Sequence, residues 1–211
     1  MTAVFLDLDG TLMDSRPGIE AALRHAFQSI GRADLAAMDL TPLIGPPFKD
    51  SFPKHGITDI SGALDAYREH YDAGAMYEAR PYDGVIDALR QMYGQDMRLY
   101  LATAKPHVSA RKITAHFGIA DFMTHEFGPE LDGTRDWKGD LLAHALEVTG
   151  EDPSRSVMVG DRHHDMAAAE EVGMPAIAVS WGYGHKGEWG TARKIIDQPS
   201  SLLQAVRDIH L

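Results

Sequence analysis

The sequence predicts an α/β fold in which helices cover both faces of a doubly wound, mostly parallel sheet, with a small α-helical domain inserted after the first strand. Strand-like and helical patterns alternate from residue 81 onward, an order typical of parallel sheets. Between residues 15 and 80, by contrast, the patterns are helical throughout. We therefore divide the chain into an α/β core of residues 1–14 and 81–211 and a helical cap domain of residues 15–80.

The individual elements follow from local patterns in order along the chain. The apolar run over residues 3–8 predicts a short buried strand, and apolar residues at helical spacing predict an amphipathic helix over 17–31. Further helical patterns in the cap cover about 35–40, 47–55 and 60–75. Pro81 then marks a boundary. The core continues with helices near 83–93, 106–117, 138–149, 163–172 and 200–209, with strands near 97–103, 156–160, 176–180 and 194–196, and with a short extended piece near 122–127.

Composition excludes several classes of function. The 211 residues include 20 basic and 31 acidic side chains, and a net charge of −11 argues against a binder of nucleic-acid polymers or membrane surfaces. No apolar run approaches the ~20 residues that a membrane helix needs, and no secretory leader pattern is visible. The chain has no cysteine, which suits a reducing compartment. We expect a cytoplasmic protein, a monomer or a dimer, that acts on a small molecule.

Polar side chains of useful kinds stand where the predicted core strands end. Asp7 and Asp9 follow the first strand, and Asp161 follows the strand at 156–160. In a parallel sheet, the carboxyl ends of the strands lie along one edge, where ligands are usually bound. The polar residues expected to converge there are Asp7, Asp9, Thr103, Lys138, Asp161 and Asp165.

These residue types favour phosphoryl transfer. Oxygen ligands without Cys or His suit Mg²⁺. A carboxylate beside Mg²⁺ can attack phosphorus, and a second carboxyl group can protonate the leaving oxygen and then deprotonate water. A hydroxyl group, backbone N–H groups and a lysine would hold the phosphoryl oxygens.

Each residue also has an ordinary structural interpretation. Asp9-Gly10 is a common turn pair, Asp161 could cap the following helix, and Lys138 could be a surface lysine. A calcium loop beginning at Asp7 is excluded, because its sixth and twelfth positions would be Leu12 and Gly18. A metal shared by His163 and His164 is disfavoured, since neighbouring helix residues do not face each other.

Four features together resemble the motifs of phosphatases of the haloacid dehalogenase (HAD) superfamily, in the phosphoglycolate-phosphatase-like subgroup with a helical cap. They occur in the order Asp7-Leu8-Asp9-Gly10-Thr11-Leu12, Thr103, Lys138, and Gly160-Asp161 with Asp165. The resemblance implies a HAD-like core with Asp7 as nucleophile and Asp9 as general acid/base. It implies Mg²⁺ held by Asp7, the Asp9 carbonyl and Asp161, with Asp165 in support. Thr103 would bind the phosphoryl group, and Lys138 would pair with Asp7 and the phosphate.

Several substrate contacts are predicted with less support from the pattern. Lys105 is a rival of Lys138 for the active-site cation, because Gly139 stands where relatives often have proline after that lysine. The Trp181-Gly182-Tyr183-Gly184 segment is either a packed aromatic turn or a wall of the site. The further candidates for binding phosphate or substrate are Leu8, Gly10, Thr11, Ala104 and Lys105 in the core, and Arg16, Pro46 and Lys49 in the cap.

The sequence thus predicts a Mg²⁺-dependent phosphomonoesterase that hydrolyses a small phosphorylated metabolite through an aspartyl-phosphate. Phosphoglycolate is the first substrate that the resemblance suggests, and a 5′-nucleotidase acting on nucleoside monophosphates is the alternative. Pyrophosphatase and sugar-phosphatase roles, a phosphomutase and a non-enzymatic phospho-accepting signalling domain are weaker alternatives. Fold-level analogy does not decide among substrates.

Overall fold

The structure is a computed structural model that describes residues 2–45 and 48–209. Its strands are β1 Ala3–Leu6, β2 Met13–Asp14, β3 Arg80–Pro81, β4 Arg98–Ala102, β5 His125–Phe127, β6 Ser156–Gly160, β7 Ala176–Val179 and β8 Lys194–Ile196. Its helices are α1 Arg16–Ser29, α2 Ala33–Ala36, α3 Phe48–Ser51, α4 Ile60–Asp72, α5 Val85–Tyr93, α6 His107–His116, α7 Lys138–Thr149, α8 His163–Glu171 and α9 Leu202–Asp208. Over the described ranges, no helix combines the length and apolar character needed to cross a membrane.

The main sheet has six parallel strands in the order β5-β4-β1-β6-β7-β8, which confirms the predicted α/β core. β1 lies between β4 and β6, and Leu6 at its end is opposite Leu101 and Val159. The residues that follow these three strands therefore emerge side by side at one edge of the sheet. The order of the strands, rather than proximity in sequence, is what brings Asp7 and Asp161 together.

Burial explains why these strands are nearly continuous apolar runs. All four residues of β1 are buried, as expected for a central parallel strand covered on both faces. On one face, Phe5 stacks on Tyr100 with 4.9 Å between ring centroids. Leu141 and Leu142 of α7 belong to the same buried cluster.

The chain separates into two compact units, one of Met1–Asp14 and Pro81–Leu211 and the other of Ser15–Arg80. The first contains the six-stranded sheet. In the second, α1 packs against α4, and aromatic rings are in contact through its interior. Phe52 contacts both Phe27 and Phe48, and Phe48 contacts Tyr67.

The structure differs from the sequence prediction mainly in the second unit, where the helices are shorter. The pattern over 35–40 corresponds to α2, which ends at Ala36, followed by a 3₁₀ turn at Thr41–Leu43. The pattern over 47–55 is divided between α3 and a 3₁₀ turn at Pro53–His55. Pro53 lacks the N–H group that an α-helix would need there, so the helix ends before it.

Candidate active site

Three buried carboxylates gather at the carboxyl edge of the sheet. Asp7 follows β1, Asp161 follows β6, and Asp165 lies in the first turn of α8. Each offers one oxygen, and these atoms all lie within 4.8 Å of one another. The backbone N–H of Asp7 donates to the Val159 carbonyl at 3.0 Å, which extends the β1–β6 ladder to Asp7. The sheet itself therefore fixes the spacing of two of the three carboxylates.

Lys138 connects two of these carboxylates. Lys138 is the first residue of α7 and is buried. Its ammonium group lies between Asp7, which follows β1, and Asp165 of α8. Nζ donates to Asp7 Oδ1 at 2.7 Å and also donates to Asp165 Oδ1. The structure therefore places Lys138 against Asp7, as the sequence resemblance implies.

Lys105 also lies at the site, against a different carboxylate. Its Nζ is 3.0 Å from Asp9 Oδ2, and the Lys105 side chain is almost fully buried. The other oxygen, Asp9 Oδ1, is buried and has no hydrogen-bond partner among the described residues. The two lysines that the sequence presents as rivals are thus both present, one for Asp7 and one for Asp9.

The positive charge of the lysines does not offset the cost of burying so many carboxylates. Burial raises the pKa of Asp7 to about 7 even though Lys138 lowers it, and Asp165 and Asp9 raise it further. Burial likewise raises the pKa of Asp161 to about 8, with Asp165 and Asp7 adding to the effect. For Lys138, burial alone would lower the pKa, but Asp165 and Asp7 raise it above its usual range. A divalent cation with a preference for oxygen ligands fits this set of residues.

The turn after β1 uses its backbone to shape the site. The Leu8 carbonyl accepts from the N–H groups of Leu12 and Met13, and the Leu8 side chain is fully buried, so Leu8 can reach a substrate only through its backbone. Gly10 has a φ of +85° and donates its N–H to the Met13 carbonyl at 2.8 Å. A Cβ at Gly10 would meet the Asp161 carboxylate. Gly10, predicted as a phosphate contact, therefore has a clear structural role in admitting Asp161.

The two candidate threonines have different neighbours. Thr103 follows β4, donates its N–H to the Phe127 carbonyl at 3.1 Å and accepts the Lys105 N–H on Oγ1 at 3.1 Å. Ala104 lies between them and is half-buried. Thr11 donates its hydroxyl to Asp161 Oδ1 at 3.4 Å. The Thr11 side chain thus contacts a carboxylate of the buried cluster, whereas Thr103 belongs to the loop after β4 together with Lys105.

The candidates in the inserted segment belong to the unit Ser15–Arg80. Arg16 is exposed in α1 and forms an ion pair with Glu20 at 2.7 Å. Lys49 is an exposed residue of α3. Pro46 lies outside the described residues. A role for these residues in substrate binding stays a prediction.

Gly139, the departure from the familiar motif, has a local structural reason. A Cβ at this position would meet the Glu171 carboxylate. That carboxylate also accepts a hydrogen bond from Trp137 Nε1 at 3.1 Å. Glycine at this position therefore allows the end of α8 to approach the start of α7, and the position of Lys138 is not disturbed.

A segment after β7, predicted as either a packed aromatic turn or a wall of the site, packs against the carboxylate cluster. The backbone N–H groups of Tyr183 and Gly184 donate to Asp161 Oδ2 at 2.7 and 3.2 Å, and Trp189 Nε1 donates to the Asp161 carbonyl at 2.6 Å. Trp181 Nε1 donates to the Thr11 carbonyl at 3.0 Å. The two glycines of the Trp-Gly-Tyr-Gly run, directly after a core strand, are the sequence signal of this close approach.

The chain belongs to the haloacid dehalogenase-like hydrolase family, whose sequence profile matches residues 4–179. The match includes the motifs at Asp7, Thr103, Lys138 and Asp161. This membership confirms the resemblance found in the sequence, and the relatives and structural neighbours below indicate a phosphatase.

Among curated relatives, a 5′-nucleotidase from Pseudomonas aeruginosa is 36% identical over 188 residues, which are 88% of this chain and 85% of that protein. A phosphoglycolate phosphatase from Xylella fastidiosa is 30% identical over 206 residues, covering 94% and 90% of the two chains. The tyrosine-protein kinase PtkA from Mycobacterium tuberculosis is 40% identical over 183 residues, or 86% of this chain, but the match spans 62% of the kinase.

Solved structures share the whole architecture. The crystal structure of a predicted phosphatase from Clostridium acetobutylicum superimposes with a TM-score of 0.91 at 30% identity and covers 98% of each chain. The similarity therefore extends over the inserted segment as well as the sheet.

Proposed function

We propose that this protein is a Mg²⁺-dependent phosphomonoesterase that acts through a phosphoryl group carried on Asp7. The observation that carries the proposal is the buried cluster of Asp7, Asp161 and Asp165, whose oxygens lie within 4.8 Å of one another, with Lys138 bonded to two of them. A cluster of this charge and composition has no evident purpose in stabilising the fold, because burying carboxylates is costly.

The two aspartates after β1 divide the chemistry between them. Lys138 holds Oδ1 of Asp7, so we assign Oδ2 as the oxygen that attacks phosphorus. Asp9, two residues after Asp7, would face the leaving oxygen with its carboxyl group, whose Oδ1 has no partner among the described residues. Asp9 gives that oxygen a proton as the ester bond breaks, then takes a proton from the water that hydrolyses the phospho-Asp7. Lys105 pairs with Oδ2 of Asp9 and so orients this carboxyl group.

Asp7, Asp161 and the Asp9 carbonyl would hold Mg²⁺, with Asp165 in support. The bound ion would supply the charge that draws an anionic phosphate into an acidic site and stabilises its equatorial oxygens. Thr103 lies at the end of β4, where its hydroxyl can donate to a phosphoryl oxygen, and the backbone of Leu8 and Ala104 borders the same edge. Phosphoryl transfer needs mainly such positioning and charge stabilisation.

For the substrate, we place nucleoside 5′-monophosphates first and phosphoglycolate second. The similarity to the Pseudomonas 5′-nucleotidase covers most of both chains at 36% identity, against 30% for the phosphoglycolate phosphatase. This order reverses the one that the sequence motifs suggest. The unit Ser15–Arg80, with Arg16, Pro46 and Lys49, would select the leaving group.

A panel of phosphate esters tests the proposal. Purified protein with Mg²⁺ should release inorganic phosphate over many turnovers, with kcat/KM highest for a nucleoside monophosphate among nucleotides, phosphoglycolate, pyrophosphate and hexose phosphates. A preference for phosphoglycolate would reverse the substrate order and keep the mechanism. Labelling that stops at one phosphoryl group per chain would contradict the esterase and favour a signalling domain.

The relationship to PtkA suggests one further arm of the same experiment. A phosphoryl group on Asp7 can pass to a hydroxyl group other than that of water. ATP and a tyrosine-containing protein should therefore be included in the panel. Transfer of phosphate to tyrosine, rather than to water, would contradict the phosphomonoesterase.

A further inference from the structure

We propose that the segment 183–189 is a clamp that positions Asp161 for metal binding, with Trp189 and Glu188 as its positioning residues. The inference rests on the proposed function, because it concerns the residues that would hold Mg²⁺. The sequence motifs do not include either residue. The clamp is defined by the hydrogen bonds that this segment makes to residues 161–163.

The first half of the clamp orients Asp161 itself. Tyr183 and Gly184 donate two backbone N–H groups to Asp161 Oδ2, while Trp189 Nε1 donates to the carbonyl of the same residue. Both the side chain and the backbone of Asp161 are therefore held. Because Oδ2 already accepts two hydrogen bonds, Oδ1, which faces the Thr11 hydroxyl, is the oxygen left for a cation.

The second half of the clamp fastens the segment to the turn that follows Asp161. Glu188 Oε2 lies 2.9 Å from Arg162 Nε and accepts from the backbone N–H of His163 at 3.2 Å. His163 Nδ1 is 3.0 Å from the same oxygen. Burial alone would raise the pKa of Glu188, but the hydrogen bonds of Arg162 and His163 hold it at about 2. Glu188 therefore stays charged and paired at all working pH values.

The turn held by Glu188 also orients the third carboxylate. The backbone N–H of Arg162 donates to Asp165 Oδ2 at 2.9 Å. Arg162 thus connects Glu188, through its side chain, to Asp165, through its backbone. A displacement of Arg162 would therefore change the positions of Asp161 and Asp165 together.

Two glycines allow the clamp to lie this close. A Cβ at Gly182 would meet the Gly10 carbonyl and the Asp161 side chain, and a Cβ at Gly184 would meet the Asp161 backbone. The Trp189 ring is buried, with 4% of its surface exposed. The two ends of the segment are therefore packed against Asp161, whereas residues 185–187 between them are exposed.

Groups that orient metal ligands without touching the metal typically change metal affinity by ~10- to 100-fold when they are removed. Trp189→Phe removes the N–H donor and keeps an aromatic ring, so we expect the Kd for Mg²⁺ to rise about 10-fold. Glu188→Gln removes the charge that pairs with Arg162, and it should also raise the Kd for Mg²⁺. At saturating Mg²⁺, KM for the ester should not change, because both residues act through their hydrogen bonds to residues 161–163.

The experiment is isothermal titration of Mg²⁺ into metal-free protein without substrate. Asp161→Asn tests the site itself. Trp137→Phe is the control, because its indole also donates a hydrogen bond, in this case to the Glu171 carboxylate outside the carboxylate cluster. Denaturation in EDTA reports whether each variant is folded. If Trp189→Phe does not fold, Glu188→Gln carries the test.

The outcomes separate the clamp from the proposed function. Weaker Mg²⁺ binding in Trp189→Phe and Glu188→Gln, with wild-type binding in Trp137→Phe, supports the clamp. Wild-type affinity in a folded Trp189→Phe and in Glu188→Gln overturns it and leaves the proposed function standing. A wild-type protein that does not bind Mg²⁺, or an Asp161→Asn variant that binds it normally, overturns the metal site and the clamp with it.

Discussion

Asp7 is the residue on which the proposed chemistry depends most directly, and Asp7→Asn is its simplest test. Asparagine keeps the shape of the side chain but cannot attack phosphorus, so kcat should fall by roughly 10⁴- to 10⁶-fold. The fold should survive, because the change removes a buried charge whose pKa is already raised by burial. Single-turnover assays measure the loss, and denaturation in EDTA checks the fold. Residual activity of a few per cent would rule out Asp7 as the nucleophile.

Asp9 should show a smaller and different loss. Asp9→Asn removes proton transfer but keeps Asp7 and the metal ligands, so kcat should fall by ~10²- to 10⁴-fold. An activated ester, whose leaving oxygen needs no proton, should still phosphorylate Asp7 in this variant. Quench-flow measurements of phosphoenzyme formation separate the two steps. Wild-type turnover of an unactivated ester would remove Asp9 from the mechanism.

The residues that follow parallel strands were the ones that the sequence could predict. Asp7 and Asp161 are next to strand ends, and the sheet alone determines where they emerge. The Lys105–Asp9 pair could not be predicted, because the direction of Lys105 depends on the path of the loop after Thr103. Trp189 was also missed, since it reaches Asp161 through irregular backbone that carries no periodic signal.

At the scale of elements, the close packing of the segment after β7 gives a stability prediction. Gly184→Ala should lower the free energy of unfolding by about 1–3 kcal/mol, because its Cβ would meet the Asp161 carbonyl. Gly190→Ala is the control, since a Cβ there would meet no atom within 4 Å. Urea denaturation measures both. Equal stabilities for the two variants would show that the segment is not closely packed against Asp161.

The core elements were predicted well and the cap elements less well, for a physical reason. Core strands are buried on both faces, so their apolar runs are unambiguous. In residues 15–80, prolines such as Pro53 end helices, although the helical spacing of apolar residues continues past them. The helix predicted over 47–55 therefore became two short pieces.

For the whole molecule, the carboxylate cluster should make stability depend on pH and on metal. A carboxyl group whose pKa is higher in the folded state holds its proton after the unfolded chain has lost it, so stability falls as pH rises. Asp7 and Asp161, with pKa values raised by burial to about 7 and about 8, should lower the free energy of unfolding in EDTA as the pH rises from about 4 to 8, and the dependence should flatten above pH 8. Each can contribute up to ~1.4 kcal/mol per pH unit.

Burial lowers the pKa of His164 to about 4, so this residue acts in the opposite direction up to its usual pKa of 6.5, and the net fall in stability is clearest between about pH 6.5 and 8. Mg²⁺ should restore more stability at the upper end of the range, where it has fewer protons to displace. Denaturation curves over this range, with and without Mg²⁺, provide the measurement. The double variant Asp7→Asn, Asp161→Asn should flatten the dependence. An unchanged slope in that variant would show that other groups cause it.

The central claim, that Asp7 carries the phosphoryl group, can be tested by trapping the intermediate with borohydride. Borohydride reduces an aspartyl-phosphate to homoserine, and peptide mass spectrometry then locates the converted residue. Quenching the wild-type enzyme during turnover should give homoserine at position 7, and none should form without substrate or in Asp7→Asn. Homoserine at another position, or a phosphoryl group on a histidine or serine, would contradict the account.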